Sequence, residues 1–400
     1  MNEFKPILRF LAMSDIHFNR EKPERRRNFE LGIKLAYEYA EQQEYKGIDV
    51  LTINGDFTDH GEEEHFADFK ESVEGALKPE TDLIMTMASH EYMCDGHVEK
   101  AHERLRRFFN RGPDNHKVIK GFHFISVSPT ISCRFQDEKR EFLKKELEAA
   151  HEDTPFKPIF LFQHPHITET VYGSINWGED DLTDILVNYP QIVDFSGHSH
   201  APVNDPRSVH QRHFTCAGTG SFSYFELDEY DKVYGTVPPL DEPSAQFLIV
   251  EVSEEGAVKI KPFDVVTQRF FDMEYLVETP WNPDSFIYTE DRYFAAKKPE
   301  FTAEATIDVT VKADGVDFTF DQADGKGERI DDYTLTVRKK EDGSIVRRIC
   351  FWSKYYLNNM PARLTQGLDL TEKGDYTVDI SARGFWFNRS VNKLTTEFTI

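Results

Sequence analysis

The first two-thirds of the sequence alternates short apolar runs with amphipathic segments, and this alternation restricts the fold more than any other feature. Residues 7–13 form a continuous apolar run that is typical of a buried strand. Residues 28–43 repeat apolar side chains at helical spacing. Further apolar runs that predict strands lie at residues 50–53, 83–87, 122–127, 158–162 and 192–195. Strands that alternate with helices predict a layered α/β (α+β) domain.

The pattern changes near the C-terminus, where polar and apolar residues alternate with period two over residues 302–400. Short strands separated by Gly- and Asp-containing turns predict an all-β sandwich there. Within it, residues 368–382 resemble the tyrosine corner of immunoglobulin- and fibronectin-type sandwiches, with Tyr376 as the tyrosine. We therefore predict a first domain at residues 1–275, a linker without clear period at residues 276–301, and a β-sandwich domain at residues 302–400.

Acidic residues and histidines follow the predicted strands, each group just past the point where an apolar run ends. In chain order these groups are Asp15 and His17; Asp56; His90 and Glu91 after Ser89; His164 and His166; and His198 and His200. In layered α/β folds, binding sites gather at the carboxyl ends of strands. Each group alone is a weak signal, but five groups in order, each after a strand, are not expected of a domain without a site.

The chemistry of these side chains indicates bound transition-metal ions. Carboxylates and imidazoles together suit Mn, Fe, Co, Ni or Zn better than Ca or Mg. The pairs Asp15-x-His17 and His198-x-His200 place alternate side chains on one side of an extended segment, so that two pairs can face one cation or two. A carboxylate such as Asp56 can bridge two cations about 3.5–4 Å apart, the spacing used for displacement at phosphorus. The residue types therefore predict a metal centre that holds one divalent cation or two adjacent ones.

This ordered set resembles the motifs of the calcineurin-like metallophosphoesterase superfamily, which run D-x-H, G-D, G-N-H-[D/E], a later H, and G-H-x-H. The resemblance covers roughly residues 7–263. It implies a two-sheet β-sandwich flanked by helices, with the metal ions at one edge. It also implies a metallophosphoesterase that hydrolyses a phosphomonoester or phosphodiester with a hydroxide activated by two metal ions.

The resemblance further implies a role for each candidate residue. His90 protonates the leaving group, and Glu91 holds the ring of His90. The implied ligands are Asp15, His17, Asp56 and His200 for the first metal ion, and Asp56, Ser89, His164 and His198 for the second.

The sequence departs from the family pattern in one place and is ambiguous in another. Where the family motif has Gly-Asn, this chain has Ala88-Ser89, and a serine hydroxyl is a shorter and weaker ligand than an amide oxygen. Loss of even an outer partner of a ligand costs about 10–100-fold in metal affinity or activity, so Ser89 predicts either a weakened second site or one compensated by water or by the hydroxyl. The later histidine is His164 or His166, and we favour His164 because it follows the strand directly.

The charge and the apolar runs of the chain limit the classes of partner that it can bind. The 47 Lys and Arg residues against 71 Asp and Glu residues give a net charge of −24, which argues against general nucleic-acid binding but permits one small phosphorylated substrate. No run approaches the ~20 apolar residues of a membrane helix, and the start of the chain shows no signal-peptide pattern. We therefore expect a cytoplasmic protein without membrane insertion. We interpret the scattered cysteines as buried free thiols; they are Cys94, Cys133, Cys216 and Cys350.

Three functions remain open at this point. The first is a metal-dependent phosphoesterase, favoured by His90 and Glu91 because a pure binding module needs no proton donor. The second is a degenerate relative that binds a metal ion or a phosphorylated ligand with little turnover, favoured by Ser89. The third is a scaffold that acts through its C-terminal sandwich, whose partner the sequence does not identify.

Overall fold

The structure is a computed structural model that describes residues 4–130, 132–239 and 243–400. The described part of the chain divides into two compact units. The first comprises the described residues of Met1–Asp228 and Val237–Thr289, and the second comprises Glu229–Thr236 and Glu290–Ile400. Residues of the predicted linker therefore fall in both units, and the predicted domain boundaries stay a prediction.

The described residues of the first unit form fifteen strands. In chain order they are β1 (Pro6–Met13), β2 (Val50–Asn54), β3 (Asp82–Thr86), β4 (Asn115–Ile119), β5 (Phe122–Ser126), β6 (Ile159–Phe162), β7 (His166–Ile167), β8 (Gly178–Glu179), β9 (Ile192–Ser196), β10 (Val209–Gln211), β11 (Thr215–Gly218), β12 (Gln246–Ser253), β13 (Val258–Asp264), β14 (Arg269–Phe270) and β15 (Tyr275–Val277).

Two mixed sheets hold most of these strands. The first has the order β14-β13-β12-β1-β2-β3, with β15 paired to β13, and the second has the order β10-β11-β9-β6-β5-β4. The strands β7 and β8 form a separate pair. In the first sheet β1, β2 and β3 are parallel, and in the second β5, β6, β9 and β11 are parallel. The carboxyl ends of the parallel strands therefore lie at one edge of each sheet.

The two sheets pack face to face through an apolar layer that surrounds Phe10 of β1. The fully buried ring of Phe10 meets four other rings edge to face at centroid distances of 5.0 to 5.9 Å; these are Phe124, Phe160, Phe162 and Phe195. Each such pair contributes about 0.5–1.5 kcal/mol beyond its buried area. Because these rings come from β5, β6 and β9, they fix β1 against the strands of the opposite sheet.

Helices cover the outer faces of both sheets. They are α1 (Pro23–Glu41), α2 (Glu63–Ala76), α3 (Ser89–Tyr92), α4 (Val98–Phe109), α5 (Asp137–Asp153), α6 (Ser174–Trp177) and α7 (Thr183–Leu186), with 3-10 turns at Pro206–Ser208 and Pro283–Ser285. Phe29 of α1 and Phe69 of α2 pack on the first sheet, and Leu143 of α5 packs on the second. The predicted two-sheet sandwich flanked by helices is confirmed.

None of the helices in the described part of the chain has the length and apolar character that a membrane crossing requires.

The sequence patterns missed β4 and β10, and both are edge strands of the second sheet. In β4 none of the residues from Asn115 to Ile119 is fully buried, so no apolar alternation marks the strand. β10 is only three residues long, which is too short for a period to be visible.

The second unit is a sandwich of a three-stranded and a four-stranded sheet, which confirms the predicted all-β region. After the short helix α8 (Arg292–Ala295), its strands are β16 (Ile307–Val311), β17 (Val316–Asp321), β18 (Asp332–Lys339), β19 (Ile345–Trp352), β20 (Arg363–Leu368), β21 (Asp375–Arg383) and β22 (Leu394–Thr399). Phe320 of one sheet and Tyr333 of the other pack edge to face at 4.9 Å in the core.

Tyr376 of β21 forms the tyrosine corner that the sequence predicts. Its ring is fully buried and stacks on Phe398 at 5.3 Å. Its hydroxyl donates a hydrogen bond to the carbonyl oxygen of Glu372, four residues upstream, at 2.9 Å. The hydrogen bond fixes the turn that enters β21.

The substitution Tyr376→Phe removes this hydrogen bond and keeps the ring. We expect the free energy of unfolding, measured by urea denaturation, to fall by about 1 kcal/mol, the net contribution of a typical hydrogen bond. The control is Tyr293→Phe, because the Tyr293 hydroxyl has no hydrogen bond to the described residues; its effect should stay within about 0.5 kcal/mol. Equal stabilities of Tyr376→Phe and the unaltered protein would contradict the assignment.

Candidate metal centre

The candidate residues lie in the loops that leave the carboxyl ends of β1, β2, β3, β6 and β9. Backbone hydrogen bonds tie these loops to one another. The amide of His17 donates to the carbonyl oxygen of Asp56 at 3.0 Å, and the amide of Gly197 donates to the carbonyl oxygen of His164 at 2.9 Å. Residues that are far apart in the sequence are therefore held together at one edge of the sheets.

Five candidate ligands adopt a left-handed backbone conformation. Their φ angles are 52° for Asp15, 50° for His17, 49° for Asp56, 72° for His198 and 53° for His200. Residues other than glycine rarely adopt this conformation, which costs on the order of 1–3 kcal/mol each and persists only where the surroundings impose it. Strained residues of this kind concentrate at functional sites. The strain at these five positions therefore indicates that the loops form a functional site.

The glycines next to Asp56 and His198 give the ligands room. A side-chain carbon at Gly197 would lie 2.5 Å from Oδ2 of Asp15, and one at Gly55 would lie 2.6 Å from Nδ1 of His164. Both distances are too short for non-bonded atoms. The Gly-Asp and Gly-His pairs of the sequence are therefore a steric requirement of the packed site.

Asp15, His17 and His200 form a first cluster, and all three side chains are buried. Oδ1 of Asp15 lies 3.2 Å from Nε2 of His200 and 3.9 Å from Nε2 of His17, and the two imidazole nitrogens are 3.2 Å apart. Three donor atoms of different residues thus converge on one point. Such convergence is the geometry of a cation site.

Asp56, His164 and His198 form a second cluster beside the first. Nε2 of His164 lies 3.0 Å from Oδ2 of Asp56, and the rings of His164 and His198 are 4.8 Å apart. Nε2 of His164 is also 3.9 Å from Oδ1 of Asp15, which places the two clusters side by side. Nδ1 of His164 is directed at the carbonyl oxygen of Asn54 at 2.7 Å, which turns Nε2 toward the carboxylates.

Burial and mutual charge set the protonation of the cluster residues. Burial lowers the pKa of His17 to about 4 and of His198 to about 3, so both rings are neutral at neutral pH, the form that binds metal. Burial raises the pKa of Asp56, but the adjacent His164 outweighs it and holds that pKa well below its ordinary value. Burial lowers the pKa of His164, but Asp56 and Asp15 outweigh it and raise that pKa to about 9. A proton on His164 therefore balances the buried carboxylates, and a cation can replace it.

The residues present fit the two divalent metal ions that the family motifs imply. Oδ1 of Asp15 and Nε2 of His164 are fully buried and make no well-formed hydrogen bond. Buried polar atoms almost always have a partner, so both atoms have an open position for a ligand. Carboxylate oxygens and imidazole nitrogens suit Mn, Fe, Co, Ni or Zn.

His90 lies beside both clusters, but Glu91 does not hold its ring as the resemblance implies. Nε2 of His90 is 3.8 Å from Oδ2 of Asp56, and its Nδ1 is directed at the carbonyl oxygen of Asp59 at 2.6 Å. The buried carboxylate of Glu91 instead accepts hydrogen bonds from the amides of Asp56, Thr58 and Ala88 and from the Thr58 hydroxyl, at 2.8 to 3.0 Å. Glu91 is thus a positioning residue for the loop that carries Asp56.

The choice between His164 and His166 has a clear geometric outcome. His164 lies in the second cluster, whereas both ring nitrogens of His166 are engaged, Nδ1 with Ser196 at 2.8 Å and Nε2 with Ser199 at 2.7 Å. Burial also lowers the pKa of His166 to about 3. His166 therefore contacts the end of β9 and the loop that follows it, and it belongs to neither cluster.

Ser89, the departure from the family motif, opens α3 at the rim of the site. Burial is the larger influence on the pKa of the neighbouring Cys133 thiol, and Ser89 lowers that pKa. Burial raises the pKa of the Cys133 thiol to about 12. No sequence motif marks this neighbour, because Cys133 stands alone in a loop after β5.

Three further residues at the site were not predicted as functional. Asp59 orients His90 through its carbonyl oxygen and faces Nδ1 of His17 with its carboxylate at 3.5 Å. The ring of Tyr224 lies 4.2 Å from that of His200, and the ring of Trp177 lies 5.0 Å from that of His198. Asp59 lies in the same short segment as Asp56. The motif at Asp56 was therefore the sequence signal that could have pointed to Asp59.

The layered sheets with clustered carboxylates and imidazoles at one edge are the arrangement of a metal-dependent enzyme domain. Residues 8–202 match the family model of the calcineurin-like phosphoesterases, so the chain carries a domain of that family. The resemblance drawn from the motifs is therefore confirmed, and so is the predicted enzyme class, a metallophosphoesterase, for this domain. No curated protein sequence matches the chain.

Comparison with solved structures finds weak likenesses. A purple acid phosphatase from seeds of yellow lupin (Lupinus luteus) is similar at 12% identity and a TM-score of 0.48, over 68% of this chain and 53% of that one. A family 76 glycoside hydrolase from a bovine Bacteroides thetaiotaomicron strain is similar at 16% identity and a TM-score of 0.20, over 26% of this chain and 20% of that one. The extracellular domains d3-d4 of rat CD45 are similar at 11% identity and a TM-score of 0.18, over 41% of this chain and 67% of that one. The chain thus spans about half the length of the lupin phosphatase, and we base no conclusion on these likenesses.

A buried carboxyl group, Asp194, lies on β9 behind the clusters. Nε2 of Gln163 donates to both of its oxygens at 3.2 Å, while Oε1 of Gln163 has no hydrogen bond in the described part of the chain. Burial raises the pKa of Asp194 to about 7 against hydrogen bonds from Gln163 and Ser196. The folded state therefore holds the Asp194 proton more tightly than the unfolded state does, and this group destabilises the fold as pH rises between about 4 and 7.

The substitution Asp194→Asn removes this titration and supplies an N–H for Oε1 of Gln163. We expect the variant to gain stability relative to the unaltered protein as pH rises from about 4 to 7, by at most about 1.4 kcal/mol per pH unit. Urea unfolding of both proteins across this range measures the difference. Parallel stability curves would show that Asp194 keeps an ordinary pKa. The exposed Asp137→Asn is the control, and its curve should parallel that of the unaltered protein.

Proposed function

We propose that this chain hydrolyses a phosphomonoester or a phosphodiester with two divalent metal ions held by the two clusters. The observation that carries the proposal is the pair of adjacent three-residue clusters, with His90 beside them. Asp15, His17 and His200 are assigned to one ion, and Asp56, His164 and His198 are assigned to the other. The donor set supports Mn, Fe, Zn, Co or Ni.

When bound, two such cations polarise the phosphoryl oxygens and lower the pKa of water. The protein residues supply the rest of the site. Asp15 and Asp56 bring two negative charges into a buried edge, which binds cations in preference to leaving a proton on His164. Through its cations this edge can accept an anionic phosphoester, although the whole chain carries a net charge of −24.

His90 is assigned as the general acid that protonates the leaving oxygen. It is more exposed than the buried ligands, with 27% of its side chain accessible, so it can reach a substrate. The carbonyl oxygen of Asp59 accepts a hydrogen bond from Nδ1–H, so the second proton of the charged ring is on Nε2, from which it can be donated to the substrate. Burial lowers the pKa of His90, but Asp56 and the Asp59 carbonyl outweigh it and raise that pKa above its ordinary value, which favours the protonated donor.

The substrate is proposed to be small. Trp177 and Tyr224 stand against His198 and His200, where they can contact the group that leaves or the group that stays. The acidic charge of the chain argues against an extended phosphate backbone as substrate.

The second candidate function is a degenerate relative that binds one metal ion or a phosphorylated ligand with little turnover. Ser89 is the observation that favours it, because the second cluster lacks the amide of the family motif. Fewer than two metal ions per chain and no hydrolysis at saturating metal would support this candidate over the first.

Removal of metal by a chelator is the first test of the proposal. Stripping with EDTA should abolish hydrolysis of p-nitrophenyl phosphate and of bis(p-nitrophenyl) phosphate, because the clusters then lack their cations. Addition of Mn²⁺, Co²⁺ or Zn²⁺ should restore it, and Asp56→Asn should block the restoration. Full activity of protein shown by elemental analysis to be metal-free would end the two-metal proposal.

The substitution His90→Ala tests the general acid. It should lower turnover of an alkyl phosphate by about 10²–10⁴-fold, because a poor leaving group needs the proton. Turnover of p-nitrophenyl phosphate should fall much less, because its leaving group is stable as an anion. His213→Ala, an exposed histidine on the same unit, is the matched control and should change neither rate. Equal losses on both substrates would remove His90 from this role.

A further inference from the structure

A cavity of about 250 Å³ lies between the start of α1 and the loop that follows β11. Its walls include Lys22, Glu24 and Arg25 from the start of the helix, and Ser223 and Tyr224 from the loop. Pockets that enclose a whole drug-sized ligand have volumes of about 300–1,000 Å³. The size of this cavity therefore suits one part of a small molecule rather than the whole of a large one.

Three of the wall residues contact ligands of the first cluster. The ring of Tyr224 lies 4.2 Å from the ring of His200, and Oγ of Ser223 lies 3.3 Å from Nδ1 of the same histidine. Nη1 of Arg25 donates a hydrogen bond to the carbonyl oxygen of His17 at 2.9 Å. The cavity is therefore the immediate neighbour of the first cluster, and a phosphoester at that cluster can extend into it.

Arg25 offers unused hydrogen-bond donors at the wall of the cavity. Only 14% of its side chain is accessible, and its Nη1 is engaged with the carbonyl oxygen of His17 and with Oδ1 of Asp59 at 3.3 Å. Its Nε and Nη2 make no hydrogen bond to the described residues. A guanidinium group presents its donors in a planar fork that matches a carboxylate or a phosphate. These free donors are therefore suited to an anionic group.

Lys22 adds a second positive charge to the same wall. Its side chain is exposed, and in the part of the chain that the structure describes its ammonium forms no ion pair. Glu24 also lines the cavity and carries the opposite charge, but it is exposed, so that solvent weakens its repulsion of an anion. The better-buried charge on the wall is that of Arg25, and the cavity therefore favours an anion.

We propose that this cavity receives a second anionic group of the substrate, a carboxylate or a phosphate, and that Arg25 and Lys22 are specificity-determining residues. The position of the phosphoester at the two clusters belongs to the proposed function, on which this inference rests. The carbon chain between the two anionic groups can lie against the rings of Tyr224 and Phe225, which also line the cavity. The substrate class is then a small phosphoester with a second negative group.

Calorimetric titration of the full chain, with Mn²⁺ in excess in both solutions, tests the cavity without turnover. The probes are short alkylphosphonates whose far end is a methyl group, a carboxylate or a second phosphonate. Because their carbon–phosphorus bond is not hydrolysed, the Kd reports binding alone. An anionic end should bind about 10–100-fold more tightly than a methyl end, the gain that hydrogen bonds to a charged group provide. The tighter of the two anionic ends identifies the second group as a carboxylate or a phosphate.

Substitutions in the cavity should change this preference in opposite directions. Arg25→Gln should reduce the ratio of the two Kd values by about 10-fold, and Lys22→Gln by up to about 5-fold because this charge is exposed. Glu24→Gln should increase the ratio by up to about 5-fold, because it removes a repulsive charge. The matched control is Arg27→Gln, an exposed residue of the same helix outside the cavity, which should leave the ratio unchanged. A ratio measured on one protein cancels any effect of Arg25→Gln on the metal centre through His17.

Turnover of p-nitrophenyl phosphate by the same preparation separates the subsite from the proposed function. Hydrolysis together with equal Kd values for methyl and anionic ends would overturn the subsite and leave the proposed function standing. Preferential binding of an anionic end without any hydrolysis would retain the subsite and overturn the proposed function. A preference that is the same in Arg25→Gln, Lys22→Gln and the unaltered protein would place the second anionic group outside this cavity and overturn the inference.

Discussion

Two carboxylates, Asp15 and Asp56, are buried together at one edge of the first unit. The other residues of the site compensate the cost of burying these two charges. Taking a carboxylate out of water costs several kcal/mol unless opposite charge and hydrogen bonds surround it. Four imidazoles surround this pair, and the amide of His198 donates to Asp15 at 3.1 Å. The left-handed backbone at five of these positions turns the donors inward instead of toward solvent. The proposed cations would complete the balance of charge that a lone proton on His164 provides only in part.

The sheets make such a strained edge possible. Phe10 locks β1 against three strands of the opposite sheet, and the parallel pairing of β1 with β2 fixes where the loops of Asp15 and Asp56 begin. A site must be held to within about half an ångström to work, and a densely packed aromatic layer supplies that rigidity. The buried carboxylate of Glu91 also holds the Asp56 loop, because it accepts hydrogen bonds from the amides of Asp56 and Thr58. The packing of the core therefore positions the loops that carry the two clusters.

Much of the fold and of the candidate site was predictable from the sequence. The apolar runs that mark strands and the Asp and His residues that follow them are both local features of the sequence. Apolar runs followed at once by Asp or His gave the strands, the order of the loops and each residue of the two clusters. What escaped prediction depends on contacts between distant segments. The approach of Cys133 to Ser89 joins loops after different strands, and the hydrogen bonds of Glu91 run to a backbone that carries no side-chain signal. The edge strand β4 escaped because a half-exposed strand has no apolar period.

The two clusters are proposed to be two cation sites. The most direct measurement is anomalous X-ray diffraction from crystals of the full chain grown with Mn²⁺ or Zn²⁺, recorded at the absorption edge of the metal. Two cation sites predict two peaks about 3.5–4 Å apart, one among Asp15, His17 and His200 and the other among Asp56, His164 and His198. An anomalous map with no peak at either cluster, under metal concentrations that saturate other sites, would contradict the assignment of two cation sites.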